Sequence, residues 1–199
     1  MIRFRYSMIA LLSSFPALAS ATESPMGLLR RSHARVNQLL LKERGAGAQD
    51  PTTREEIKNV VNGFLDYREL AKRGLDQHWQ ARTRREQEEF VAVLRELIER
   101  NYVKQLRDNF DYEIIYRTEE IGGTEATVHT VVRVMKRGRP ADTEIDYKFR
   151  REGDRWFVFD IITDGMSLVK TYKSQFNRII QRESYEALVK KMKRKLEED

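Results

Sequence analysis

The chain has 199 residues, 34% of them charged and 40% hydrophobic, with a formal net charge of +6 and no cysteine. This balance excludes a disordered chain and a disulfide scaffold, and so mild a positive excess falls well short of a nucleic-acid binder's field. The length suits one domain of ordinary size, or one with two lobes.

The first residues read as an address. Arg3 and Arg5 form a basic start, and Met8 to Ala17 form an apolar run broken only by Ser13, Ser14 and Pro16. Ala17-Leu18-Ala19 and Ala19-Ser20-Ala21 both fit the small-x-small cleavage rule. The expectation is a signal peptide over 1–21, cut after Ala21, and a mature domain over 22–199. The apolar run is too short for a bilayer span of roughly 20 residues. No later segment is apolar enough to cross a membrane.

Ser24-Pro25 is a helix start, with Pro at the first helical position. Leu28, Leu29, Val36, Leu39 and Leu40 then form an incomplete apolar stripe ending near Gly45, and Gly45-Ala46-Gly47-Ala48 breaks it. Thr53 with Glu56 has capping-box spacing and is expected to open a second helix carrying Ile57, Val60, Val61 and Phe64. Asp66 caps a third, short helix with Leu70 and Leu75, leading to Trp79. Thr83 and Glu86 cap the longest helix, about Arg84 to Arg107. Its apolar residues fall on two adjoining rows, Phe90, Val93, Leu94, Leu97 and Val91, Ile98, Tyr102, Leu106. That face is wider than a helix needs to sit on a sheet, which suits either a deep core or a ligand-facing wall.

After Arg107 the period changes to two. Tyr112, Ile114 and Tyr116 give one inward row, and Ala126, Val128, Thr130, Val132 and Val134 give the next, with Gly122-Gly123 turning the chain between them. Lys136-Arg137-Gly138-Arg139-Pro140 is a basic turn into Ile145, Tyr147 and Phe149, which alternate with charged residues. Glu152-Gly153-Asp154 turns into the aromatic and β-branched run Trp156 to Ile162, expected to be a strand buried on both faces. Asp164-Gly165 ends that strand. From Ser167, a helix cap, the apolar positions switch to helical spacing through Leu168, Val169, Tyr172, Phe176, Ile179 and Ile180. A final helix from Ser184 uses Tyr185, Leu188, Val189, Met192 and Leu196. The order predicts an α+β fold: a twisted four-stranded antiparallel sheet wrapped by helices on one side.

The corner also carries a resemblance. Trp156-x-Val158-x-Asp160-Ile161, Gly165-x-Ser167-Leu168-Val169 and Tyr172-x-x-Gln175-Phe176 resemble the signature of MlaC-type proteins, the periplasmic phospholipid carriers also called toluene-tolerance auxiliary proteins. Phe64-Leu65-Asp66-Tyr67, Leu70-Ala71 and Gly74-Leu75 to Trp79 resemble the N-terminal half of the same pattern. One departure is Lys173, where the family usually has Arg; it keeps the charge and loses a planar fork. The resemblance implies a nuclear-transport-factor-like cone with a helical lobe and a carrier rather than an enzyme. It implies a glycerophospholipid ligand moved between inner and outer membranes. The partners implied are an inner-membrane ABC transporter complex with MCE subunits and an outer-membrane lipoprotein–porin complex.

Other chemistry finds little footing. His33, His78 and His129 lie far apart, without a metal-ligand spacing, and no cofactor glycine pattern occurs. Gly165-Met166-Ser167 only half fits a nucleophile elbow. The basic segments Lys136-Arg137 with Arg139, and Lys190-Lys191 with Lys193-Arg194-Lys195, read as solvated faces or docking surfaces for an acidic partner, not nucleic-acid contacts. Asp160 is an acid inside an apolar strand, so it must find donors or take up a proton. It is either a structural acceptor or, with Tyr147, the acid–base pair of a small-molecule enzyme. Row and spacing select a candidate lipid lining between the sheet and the wide helix: Leu75, Trp79, Phe90, Leu94, Tyr102, Tyr116, Val132, Val134, Tyr147, Phe149, Val169, Tyr172 and Phe176. For each of these the alternative is ordinary core.

Overall fold

The structure, a computed structural model, describes residues 23–46, 50–108, 112–136 and 139–198, without the side chains of 44–46, 102–108 and 136. The expected signal peptide, Gly47-Ala48 of the Gly45–Ala48 break and the Arg137-Gly138 turn lie outside the described residues, while Gly45 and Ala46 still belong to the first helix.

Helix α1 (Pro25–Ala46) opens as expected, with the Gly27 N–H donating to Ser24 Oγ at 3.1 Å. Helix α2 (Pro51–Asn62) starts earlier than its sequence spacing suggested. Asp50, not Thr53, is the cap: its carboxylate accepts from the Thr52 and Thr53 N–H groups at 3.0 and 3.3 Å. Pro51 then occupies the first turn, where its missing N–H costs nothing. Asp66 caps α3 (Tyr67–Leu75) by accepting from the Glu69 N–H at 2.9 Å. A single 3-10 turn (Asp76–His78) leads on to α4 (Arg84–Asp108). The expected reciprocal cap is present there, with the Thr83 N–H donating to Glu86 at 2.7 Å and the Glu86 N–H to Thr83 Oγ1 at 3.3 Å.

Strands β1 (Tyr112–Gly122), β2 (Glu125–Lys136), β3 (Arg139–Glu152), β4 (Arg155–Thr163) and β5 (Met166–Ser167) form one antiparallel sheet in sequential order. The fifth strand is two residues long. It is the return arm of the Asp164-Gly165 turn, in which both residues take positive φ (46° and 79°), the geometry of a tight hairpin. Helices α5 (Leu168–Arg182) and α6 (Tyr185–Glu198) complete the chain.

Pairing places Tyr112, Ile114 and Tyr116 opposite Val134, Val132 and Thr130, and these in turn opposite Ala141, Thr143 and Ile145. One face therefore carries the apolar rows of every strand. Its Trp156 end is sealed: Ala126, Val128, Tyr147, Phe149, Trp156 and Val158 join Leu29, Leu75, Phe90, Leu94, Phe176 and Leu188 in one buried core. The other face is wet. Glu113, Ile115, Val131, Arg133, Met135, Glu144, Asp146 and Lys148 are all exposed or half-exposed there. Arg133 pairs with Asp142 at 2.8 Å and His129 with Asp146 at 2.8 Å across its strands. Strand β4 is buried on both sides only in part, since Phe157 remains half-exposed. A bulge opposite Lys148 and Phe149 adds Phe159 to the strand, and the Arg73 guanidinium covers that ring at 3.9 Å.

Candidate lipid-facing site

The corner between β4 and α5 is built by Asp160. Its carboxylate accepts from the Ile161 N–H at 2.9 Å, the Val169 N–H at 3.0 Å and the Ser167 hydroxyl at 2.6 Å. Ser167 Oγ accepts in turn from the Lys170 N–H at 3.0 Å, closing the first turn of α5. A negative group with these donors at a helix start satisfies orphan N–H groups and favours the dipole. Asp160 is thus a structural acceptor in this geometry. Tyr147 pairs with Ile161 and Lys148 with Asp160, so Tyr147 and Asp160 leave the sheet on opposite faces. They are not brought together as an acid–base pair.

Helix α5 then lays Val169 and Phe176 into the core. Phe176 meets Phe90 edge-on at 5.4 Å and stacks on Tyr172 at 5.1 Å. Gly74 makes room for this: a Cβ there would stand 3.3 Å from the Phe176 ring. The sequence-selected residues separate into groups. Leu75, Trp79, Phe90, Leu94, Tyr147, Phe149, Val169 and Phe176 are buried in the main core, and Tyr116 and Tyr172 pack half-buried against it. Val132 and Val134, at the other end of the sheet, are half-exposed. Tyr102 sits in α4, with its side chain outside those described.

That second end of the apolar face is distinctive. Ile114 and Val132 are register partners, as are Tyr112 and Val134, and all four are only half-buried, with Ile145 and Ile161 alongside. Aliphatic side chains on the inward face of a sheet, continuous with a sealed core and still reachable by solvent, form an apolar surface that a ligand can cover.

One residue the sequence reading set aside joins the two ends. His33, on α1, is buried between two phenols, with Nδ1 2.8 Å from Tyr116 Oη and Nε2 3.5 Å from Tyr147 Oη. Burial holds its pKa down to about 4, so the ring is neutral near pH 7. Burial also pushes the Tyr116 phenol up to about 12 and that of Tyr147 higher. The available signal was its place in the row Leu29, His33, Val36, Leu40, a polar ring in an otherwise apolar stripe. Open clefts elsewhere differ in character. One of about 640 Å³ between α1, α2 and the β3–β4 turn is lined by Arg31, Arg35, Arg155 and Asp154 beside Leu28, Val60 and Trp156. Among the described residues no His, Asp and Glu cluster could hold a metal, and no helix is long and apolar enough to cross a membrane.

The model of the MlaC protein family matches residues 30–194, nearly the whole of the described chain. The chain belongs to the MlaC family. A solved phospholipid-binding protein from Ralstonia solanacearum, in complex with a phospholipid, shares the fold of this MlaC-family chain. Its TM-score is 0.74 at 18% identity, over 86% of this chain and 96% of that one. A SEC-C motif containing protein from Rhodopseudomonas palustris aligns with a TM-score of 0.41 at 13% identity, over 70% of this chain and 78% of that chain, too distant to carry weight. No curated protein matches.

Proposed function

We propose that this MlaC-family chain is a periplasmic phospholipid carrier: it covers the acyl chains of one lipid and moves it between an inner-membrane ABC transporter complex with MCE subunits and an outer-membrane lipoprotein–porin complex. The observation that carries this is the half-buried aliphatic end of the sheet, Ile114, Val132 and Val134, running on from the sealed core. Family membership and the fold shared with a phospholipid complex support it.

The energetics favour enclosing tails over gripping the head. Each CH₂ kept from water is worth about 0.8 kcal/mol, so two chains of roughly sixteen carbons represent on the order of 20 kcal/mol. No set of head-group hydrogen bonds reaches that. Tyr116, Val132, Val134 and Tyr172 are the lining candidates open enough to touch a tail without disturbing the packed core. The buried ones then act as a rigid floor. The signal peptide over 1–21 and the mature domain over 22–199 belong to the same reading.

Purified protein, extracted with organic solvent and analysed for lipid, should yield close to one phospholipid per chain. Native mass spectrometry should show the matching added mass. A bare mass from protein gently purified out of a phospholipid-containing host would overturn the reading.

A further inference from the structure

Helix α1 is held differently on its two sides. Toward α2 the contact is apolar: Val36, Leu39 and Leu40 close with Ile57 into a small cluster that, among the described residues, is separate from the main core. Toward β1, apart from Leu29, the contacts among the described residues are a row of polar and cation–ring ones. The Met26 N–H donates to Glu119 at 2.6 Å, and the Arg30 guanidinium lies 4.0 Å over the Tyr116 ring. His33 Nδ1 lies 2.8 Å from Tyr116 Oη, and the Tyr112 hydroxyl donates to Asn37.

Positions 26, 30, 33 and 37 fall on one face of a helix. A register shift between Tyr116 and Glu119 turns Glu119 onto the same row of β1 as Tyr116 and Tyr112. The result is a polar seam along the edge strand. Among the described residues, α1 joins the main core only near its start, through Leu29 with Met26 and Leu28 beside it. The far end of the seam, at Asn37, borders the half-buried apolar surface, because Tyr112 pairs with Val134.

We infer that acyl chains pass in and out between α1 and β1, with the far half of α1 and the start of α2 swinging together between two anchors in the main core, Leu29 near the start of α1 and Val61 near the end of α2. This rests on the carrier reading above. Polar contacts can be exchanged for water when the seam parts, whereas an apolar seam would have to expose its own surface. The α1–α2 cluster stays closed while it moves. The partners realign as the helix returns, so the same row that lets the seam open also sets its register on closing.

The chain has no cysteine, so introduced thiols can be tied selectively. Cysteines at Asn37 and Tyr112, joined by a short bifunctional thiol reagent, lock the seam. Cysteines at Gln77 and Asn177, whose side chains touch at 3.3 Å between the 3-10 turn and α5, provide a tie on the other wall. The readout is transfer of a fluorescent phospholipid from phosphatidylglycerol–phosphatidylcholine vesicles to unlabelled ones. The seam tie should slow transfer about tenfold or more, and the other tie less than about twofold, as expected when opening limits the rate. Should the first pair fail to fold, Asn37→Ala and Tyr112→Phe, which loosen the same contact, should each speed transfer by about threefold. Unchanged transfer with the seam tied, equal slowing by both ties, or no gain from the loosened variants would overturn the inference. Untied protein that extracts no lipid would instead sink the carrier reading, and the seam with it.

Discussion

Three hydrogen bonds converge on the carboxylate of Asp160, all from groups that α5 or the strand end would otherwise leave unpaired. Asp160→Ala removes the acceptor and strands buried donors, so it should cost about 2–4 kcal/mol in denaturant unfolding. Asp160→Asn keeps a carbonyl for Val169 and should cost less. His33 works through protonation instead. Its folded pKa is about 4 against an ordinary 6.5, so the unfolded chain takes up the proton first as pH falls. The contribution of a neutral His33 is fully present above pH 6.5 and is lost progressively from there down to about pH 4, about 3 kcal/mol in all. A chain with His33→Gln should lose less stability than the parent between pH 6.5 and 4.5 when both are unfolded in urea.

At the scale of elements, local chemistry was legible wherever one residue type has one use. Ser24-Pro25, Asp66, Thr83 with Glu86, and Ser167 all cap the helices their spacing indicated. Asp164-Gly165 turns the chain as two adjacent positive-φ residues must. Thr53 misled because two capping patterns overlap, and the carboxylate of Asp50 ahead of Pro51 is the stronger acceptor. The two-residue β5 has no periodicity to read and exists only as the arm of a turn. The apolar rows were legible; which of their residues would be sealed was not. Burial of Phe90 and openness of Val132 depend on where α1 and α5 cross the sheet, a property of docking that no window of sequence contains. His33 was lost for the same reason, since both its partners lie more than eighty residues away.

Across the whole molecule, a rigid floor and an open margin share one sheet face. Val132→Glu and Val134→Glu place charge on the open margin alone. Both sites are half-exposed, so folding should survive, with a melting curve close to the parent's. Co-purified phospholipid should fall about tenfold, because a carboxylate beside an acyl chain must be desolvated or protonated. Retained lipid in a folded double variant would move the ligand off this face. Glu substitutions on the wet face, at Val131 or Met135, serve as the comparison and should leave lipid content unchanged.

Both tryptophans of the chain, Trp79 and Trp156, lie in the sealed half of that architecture. Their emission therefore answers to the integrity of the floor and hardly at all to what rests on the margin. A titration followed at those indoles would stay flat while cargo loads, and would change colour only when the scaffold itself gives way. The molecule thus comes with a built-in optical witness to folding, and an occupancy signal has to be introduced as a new indole near Val132.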